Sequence, residues 1–100
     1  MRIIAQSSIA AFVLRHPDTR SSLDFWVKVT KGSNWASMAD IQATFPKAKV
    51  LNGERVRFEV AGGHYRLIVA FKFASRIAFV KFLGTPAEYD RIDALTVSMF

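Results

Sequence analysis

The residues with most chemical potential lie in one alternating run, Arg55 to Leu83, which mixes fixed positive charge with groups that can move a proton. Arg66 offers a planar guanidinium that fits a phosphate through two parallel hydrogen bonds. Glu59 and His64 flank a Gly62-Gly63 turn that sets Glu59 opposite Arg66, and Lys72 and Lys81 add charge. Metal-free phosphodiester cleavage needs this inventory: a base for the 2′-hydroxyl proton, a cation to hold the phosphorane, and an acid for the leaving oxygen. Arg66 is the candidate cation, supported by Lys72; Glu59 and His64 are the candidates for proton transfer, with Tyr89 a third. Arg55, Arg57 and Lys81 are the candidates for binding an RNA backbone. Plainer roles stand beside these: Glu59 as a cross-strand salt-bridge partner of Arg66, and His64 as a turn residue.

These side chains act together only if a sheet presents them on one side. With Gly62-Gly63 and Ala74-Ser75 as hairpin centres, Val60 pairs with Tyr65, Phe58 with Leu67, Val56 with Val69, Phe71 with Ala78, Val69 with Val80 and Leu67 with Phe82. All of these fall on one apolar face, which must bury. The other face then carries Arg55, Arg57, Glu59, His64, Arg66, Ile68, Ala70, Lys72, Ile77, Phe79, Lys81 and Leu83. An ordinary solvated sheet face also carries Arg and Lys. The aliphatic and aromatic residues among these cations instead predict a partly covered groove.

The N-terminal half supplies the cover for the apolar face. Arg2 to Ala5 reads as an opening strand, and Ser7-Ser8 as the cap of a helix with Ile9, Phe12 and Val13 on one side, ended by His16-Pro17. Asp18 then caps a second helix in which Leu23, Trp26, Val27 and Thr30 share a stripe, closed at Gly32. A third, shorter helix runs from a Ser37 cap to about Thr44 and stops at Phe45-Pro46, with Trp35 packing beside it. Val50-Leu51, the two-residue turn Asn52-Gly53 and Arg55–Val60 begin an antiparallel meander, and Pro86 suits the first position of a short C-terminal helix. The expected architecture is therefore α+β, with the helices on one face of a small antiparallel sheet.

Composition narrows the function. The 100 residues form one domain, 51% hydrophobic and 13% aromatic, with a net charge of +6. The balance favours nucleic acid, an anionic membrane or an acidic protein partner. The absence of cysteine excludes disulfides and thiolate chemistry, no apolar run approaches the roughly 20 residues of a membrane helix, and the first residues make no signal peptide, so a cytoplasmic location is expected. There is no Gly-rich phosphate loop and no serine elbow, and no metal or other cofactor is called for.

Several stretches together resemble the HigB family of type II toxin–antitoxin toxins, within the RelE-like group. They are Arg15-His16-Pro17-Asp18; Trp35 with Ala39-Asp40-Ile41; Phe45-Pro46-Lys47-Ala48; Tyr65-Arg66-Leu67-Ile68-Val69; and Phe82-Leu83-Gly84-Thr85 with Ala87-Glu88-Tyr89-Asp90-Arg91-Ile92-Asp93. The resemblance implies a RelE-like fold over the whole chain, cleavage of messenger RNA in the ribosomal A site, and neutralisation by a HigA-type antitoxin, with operator DNA reached only through that partner. The chain departs from the family pattern at Glu59, where Phe-Asn-Ile becomes Phe58-Glu59-Val60, and at Gly63, where Gly-Asn becomes Gly62-Gly63. At Pro86 it has proline in place of a histidine, and proline cannot move a proton. A catalytically weakened RNA- or ribosome-binding relative is therefore the alternative, and a pure protein-interaction domain with a basic face a third.

Overall fold

The computed structural model describes residues 1–100. Its strands are β1 (Arg2–Ile4), β2 (Lys49–Val50), β3 (Arg55–Val60), β4 (Tyr65–Lys72) and β5 (Ile77–Gly84). Its helices are α1 (Gln6–Arg15), α2 (Arg20–Gly32), α3 (Met38–Thr44) and α4 (Pro86–Tyr89). The five strands form one sheet in the order β1-β5-β4-β3-β2, antiparallel except where β1 runs parallel to β5. The fold is α+β, with three N-terminal helices on one sheet face and a short helix after the last strand. No helix is long and apolar enough to cross a membrane.

The apolar face expected from alternation is the core. Val56, Phe58, Val60, Leu67, Val69, Phe71, Ala78 and Val80 are buried with Ile9, Phe12 and Val13 of α1, Leu23 and Trp26 of α2, and Ile41 of α3. The β3–β4 register is the expected one, Val60 to Tyr65, Phe58 to Leu67 and Val56 to Val69. It holds because the turn between them places Ala61, Gly62 and Gly63 at positive φ, a conformation that the two glycines adopt without strain. Trp35 is buried as a core plug, its ring edge-on to Phe45 and Phe71.

The β4–β5 register departs from expectation beyond Val80. Val69 pairs with Val80, but Ile68 pairs with Phe82 and Leu67 with Leu83, through an irregularity between Ile68 and Val69. The extra residue in β5 exchanges the facing of two neighbours. Leu83 joins the helix-side core and Phe82 moves to the opposite face, where its ring packs against Tyr89.

Local caps differ as well. Ala5, not Ser7 or Ser8, occupies the N-cap of α1, with its carbonyl accepting from Ser8 N–H. Asp18 does not cap α2: Pro17–Thr19 forms a 3-10 turn first, and the Asp18 carboxylate accepts the Tyr65 hydroxyl instead. The Ser37 cap of α3 is formed, with Ser37 Oγ accepting from Asp40 N–H. Strand β2 is Lys49–Val50 rather than Val50-Leu51, and the following loop is wider than a two-residue turn. Leu51 N–H closes onto the Arg55 carbonyl, while Asn52 Oδ1 accepts from the amides of Glu54 and Arg55.

Candidate functional site

The second sheet face carries the cations in rows set by the strand register. Glu59 lies opposite Arg66 at the turn end, Arg57 opposite Ile68 in the next row, Arg55 opposite Ala70 beyond that, and Lys72 opposite Ile77 at the far end. This face is not open along its length. Ile68, Ala70 and Phe82 are buried yet stand apart from the helix-side core, because the chain after Gly84 turns back over them. That segment is fastened at three levels. The Tyr89 ring packs on Phe82, Arg55 Nη1 donates to the carbonyls of Ala94 and Val97 at 3.1 and 2.7 Å, and Met99 N–H donates to the Lys81 carbonyl.

The cover divides the candidate residues. Arg55 is only 9% exposed, and its guanidinium is committed to the tail, so it faces carbonyl oxygens rather than solvent. Arg57 is half-buried, its guanidinium 5.6 Å from the centre of the Tyr89 ring, a cation–π contact that holds both side chains at the groove. Its Nε–H is buried without an acceptor. An unmet buried donor costs about 1–3 kcal/mol, so this position favours any ligand bringing an oxygen to it.

Arg66 folds back over the turn, donating from Nη1 to the carbonyls of Gly63 and Tyr65. It does not take up Glu59 in the expected salt bridge: both side chains instead flank Gly63, whose missing Cβ would sit 3.7 Å from Glu59 Oε2 and 3.8 Å from Arg66 Nη1. Glu59 is exposed and uncommitted. His64 is exposed in the turn, its ring without a hydrogen bond. Lys72 stands at the other end of β4, roughly 20 Å along the strand from Arg66, too far to share one phosphate with it. It belongs with Lys81, whose Nζ lies 5.4 Å from the Phe79 ring centre; these three residues and Arg55 help line a cleft of about 370 Å³.

Helix α4 aims Tyr89 at this face. Pro86 fills its first turn, where no amide is needed, and Thr85 and Glu88 form a reciprocal capping box. Thr85 N–H donates to Glu88 Oε1 at 2.9 Å and Glu88 N–H to Thr85 Oγ1 at 3.2 Å. The bond from Thr85 N–H is the main reason that the Glu88 carboxyl sits below its ordinary pKa; the neighbouring His16 ring and Arg91 guanidinium also lower it, against partial desolvation.

A further polar cluster escapes sequence reasoning. Around the α1–α2 corner, Tyr65 donates its hydroxyl to Asp18 at 3.0 Å, and the same oxygen lies 3.3 Å from His16 Nδ1. Desolvation first, then the Asp18 carboxylate, raises the Tyr65 pKa. Local spacing marks Asp18 only as a helix cap, and nothing along the chain signals a partner 47 residues away.

A basic groove on one sheet face, roofed by the chain's own C-terminal segment and backed by a helical layer, defines the class as an α+β domain with a polyanion-binding face. The family model that matches residues 19–92 is HigB_toxin, the RelE-like toxic component of a toxin–antitoxin system, and the chain belongs to that family. No curated protein matches it.

Proposed function

We propose that this chain is a ribosome-dependent messenger RNA endonuclease, held inactive by a HigA-type antitoxin that alone contacts operator DNA, and that it works in the cytoplasm. The observation that carries the reading is the Arg57–Tyr89 pair, with its unpartnered Nε–H, on the same face as Arg66 and the uncommitted Glu59. Arg57 and Arg66 would grip the RNA backbone around the scissile phosphate. Glu59 would accept the 2′-hydroxyl proton as that oxygen attacks phosphorus, and the bond to the 5′-oxygen would break as Tyr89 or His64 protonates it. Lys72 lies too far along the groove for that step, and it and Lys81, which reaches from the middle of β5 toward Phe79, would hold RNA beyond it.

A second reading rests on Pro86. It occupies the first position of α4, where the family pattern has a histidine, and it carries no proton to give. On that reading the domain binds RNA or the ribosome and cuts weakly or not at all. A cleavage assay on translating ribosomes separates the two. The parent chain should shorten messages and Arg66→Ala should slow this by about 10²-fold or more. Cutting by Pro86→His alone would establish the second reading.

A further inference from the structure

The sheet has one unfinished edge. Strand β2 covers β3 only as far as Arg57, which pairs with Lys49; its bonding pattern, set by Leu51 N–H on the Arg55 carbonyl, directs the N–H and C=O of Arg55, Arg57 and Glu59 outward. Arg55 and Arg57 are matched by β2. Beyond them the chain leaves the sheet through the Phe45-Pro46-Lys47 turn, so the Glu59 amide and carbonyl meet no strand; the next outward amide, Ala61 N–H, is satisfied by Ser22 Oγ.

Beside this gap lies an apolar notch of about 420 Å³, walled by Phe25, Trp26, Phe45 and Phe58. Phe25 is 60% exposed, a large aromatic left at the mouth, whereas Trp26 is buried and its Nε1–H has no acceptor. Trp35, by contrast, donates to Thr44 Oγ1. An apolar wall would serve the core alone; an occupant with backbone carbonyl and amide groups would meet the unmet indole donor and the free edge residue together. Lys47 and Lys49 stand exposed at the rim, on a chain of net charge +6.

We propose that this notch receives an extended, acid-flanked segment of the antitoxin, which pairs its backbone with Glu59 and inserts one apolar side chain among Phe25, Phe45 and Phe58. Strand addition supplies affinity through main-chain bonds and specificity through the adjoining pocket. The inference rests on the toxin–antitoxin reading for the existence of the partner, and not on RNA cleavage. It places the antitoxin on the outer edge of β3, so neutralisation would act through the strand that carries Arg57 and Glu59.

The test uses the chain and its antitoxin expressed from their own gene pair and recombined after separation. Binding should slow hydrogen exchange at the Glu59 amide and shift the Trp26 indole N–H resonance while leaving that of Trp35 in place. Phe25→Ser, at an exposed position that leaves the core intact, should weaken binding by about tenfold or more, and Lys47→Glu with Lys49→Glu should weaken it further at low salt. A complex whose affinity is unchanged by Phe25→Ser, or in which Glu59 exchanges as fast as in the free chain, overturns the proposal. So does a chain that dimerises through this edge, a state abolished by Phe25→Ser, since the occupant is then a second copy. Because no step reads cleavage, a chain that fails to cut RNA leaves these outcomes decisive.

Discussion

The Arg55 guanidinium and the Val97 carbonyl meet at 2.7 Å, tying the first residue of β3 to the end of the chain. A cation that sequence places among RNA contacts is thereby an anchor for the groove's own roof. Arg55→Ala leaves the Ala94 and Val97 carbonyls without their donor and should cost about 1–3 kcal/mol, measured by denaturant unfolding. It should also speed hydrogen exchange at Met99, whose amide bonds the Lys81 carbonyl in the same tail. Lost RNA affinity at unchanged stability would instead make Arg55 a direct contact.

Tyr65 gives the fold an alkaline limit. Its hydroxyl must keep its proton to donate to Asp18, and its pKa is raised in the folded chain by desolvation and by that carboxylate. A group whose pKa rises on folding stabilises fully below its unfolded pKa, here 10.0, and loses that stabilisation as pH climbs through the folded value. Melting temperatures taken from pH 8 to above 10 should fall for the parent, and Tyr65→Phe should start lower and fall less. Parallel curves for the two chains would show that the bond contributes nothing.

The fold was legible because its signals are local and repeated. Alternation from Arg55 to Val80 assigns every facing correctly, and the glycines at 62 and 63 fix the register of β3 on β4. The reading failed where one residue breaks the period. Phe82 and Leu83 are both large and apolar, so nothing in their chemistry reveals which faces the helices. The site was legible as a cationic face but not as a divided one, since its roof depends on backbone carbonyls at Ala94 and Val97, which carry no side-chain signature. The His16–Asp18–Tyr65 corner was hidden by distance along the chain.

Gly84 sits where that broken period matters most. A Cβ there would lie 2.7 Å from Phe82 Cζ, so the ring must move, and 3.2 Å from Glu88 Oε1, which crowds the capping box of α4. Phe82 is 2% exposed and packed against Tyr89, which leaves the ring little room to withdraw. Gly84→Ala should therefore destabilise by about 1–3 kcal/mol in denaturant melts and displace Tyr89 from Arg57. On the proposed function, cleavage should fall with it. A variant of parental stability that still cuts would show that α4 can move without consequence.

Lys72 and Lys81 test whether RNA runs the length of the groove. Lys72 stands at the end remote from Arg66 and Lys81 midway, at the bulge beside the Ile68–Phe82 pair, and with Phe79 they line a cleft at the far side of the groove. If each neutralises one phosphate of a single strand, each contributes about 0.7 to the slope of log affinity against log salt concentration. Lys72→Gln with Lys81→Gln should then flatten that slope by about 1.4 for a short single-stranded RNA, with a smaller effect on the rate of cutting once RNA is bound. Arg66→Ala should do the reverse, lowering the rate by far more than it lowers affinity. An unchanged slope in the double variant would confine RNA to the turn end of the sheet, between Arg57, Arg66 and Tyr89, and leave the lysine cleft to another ligand.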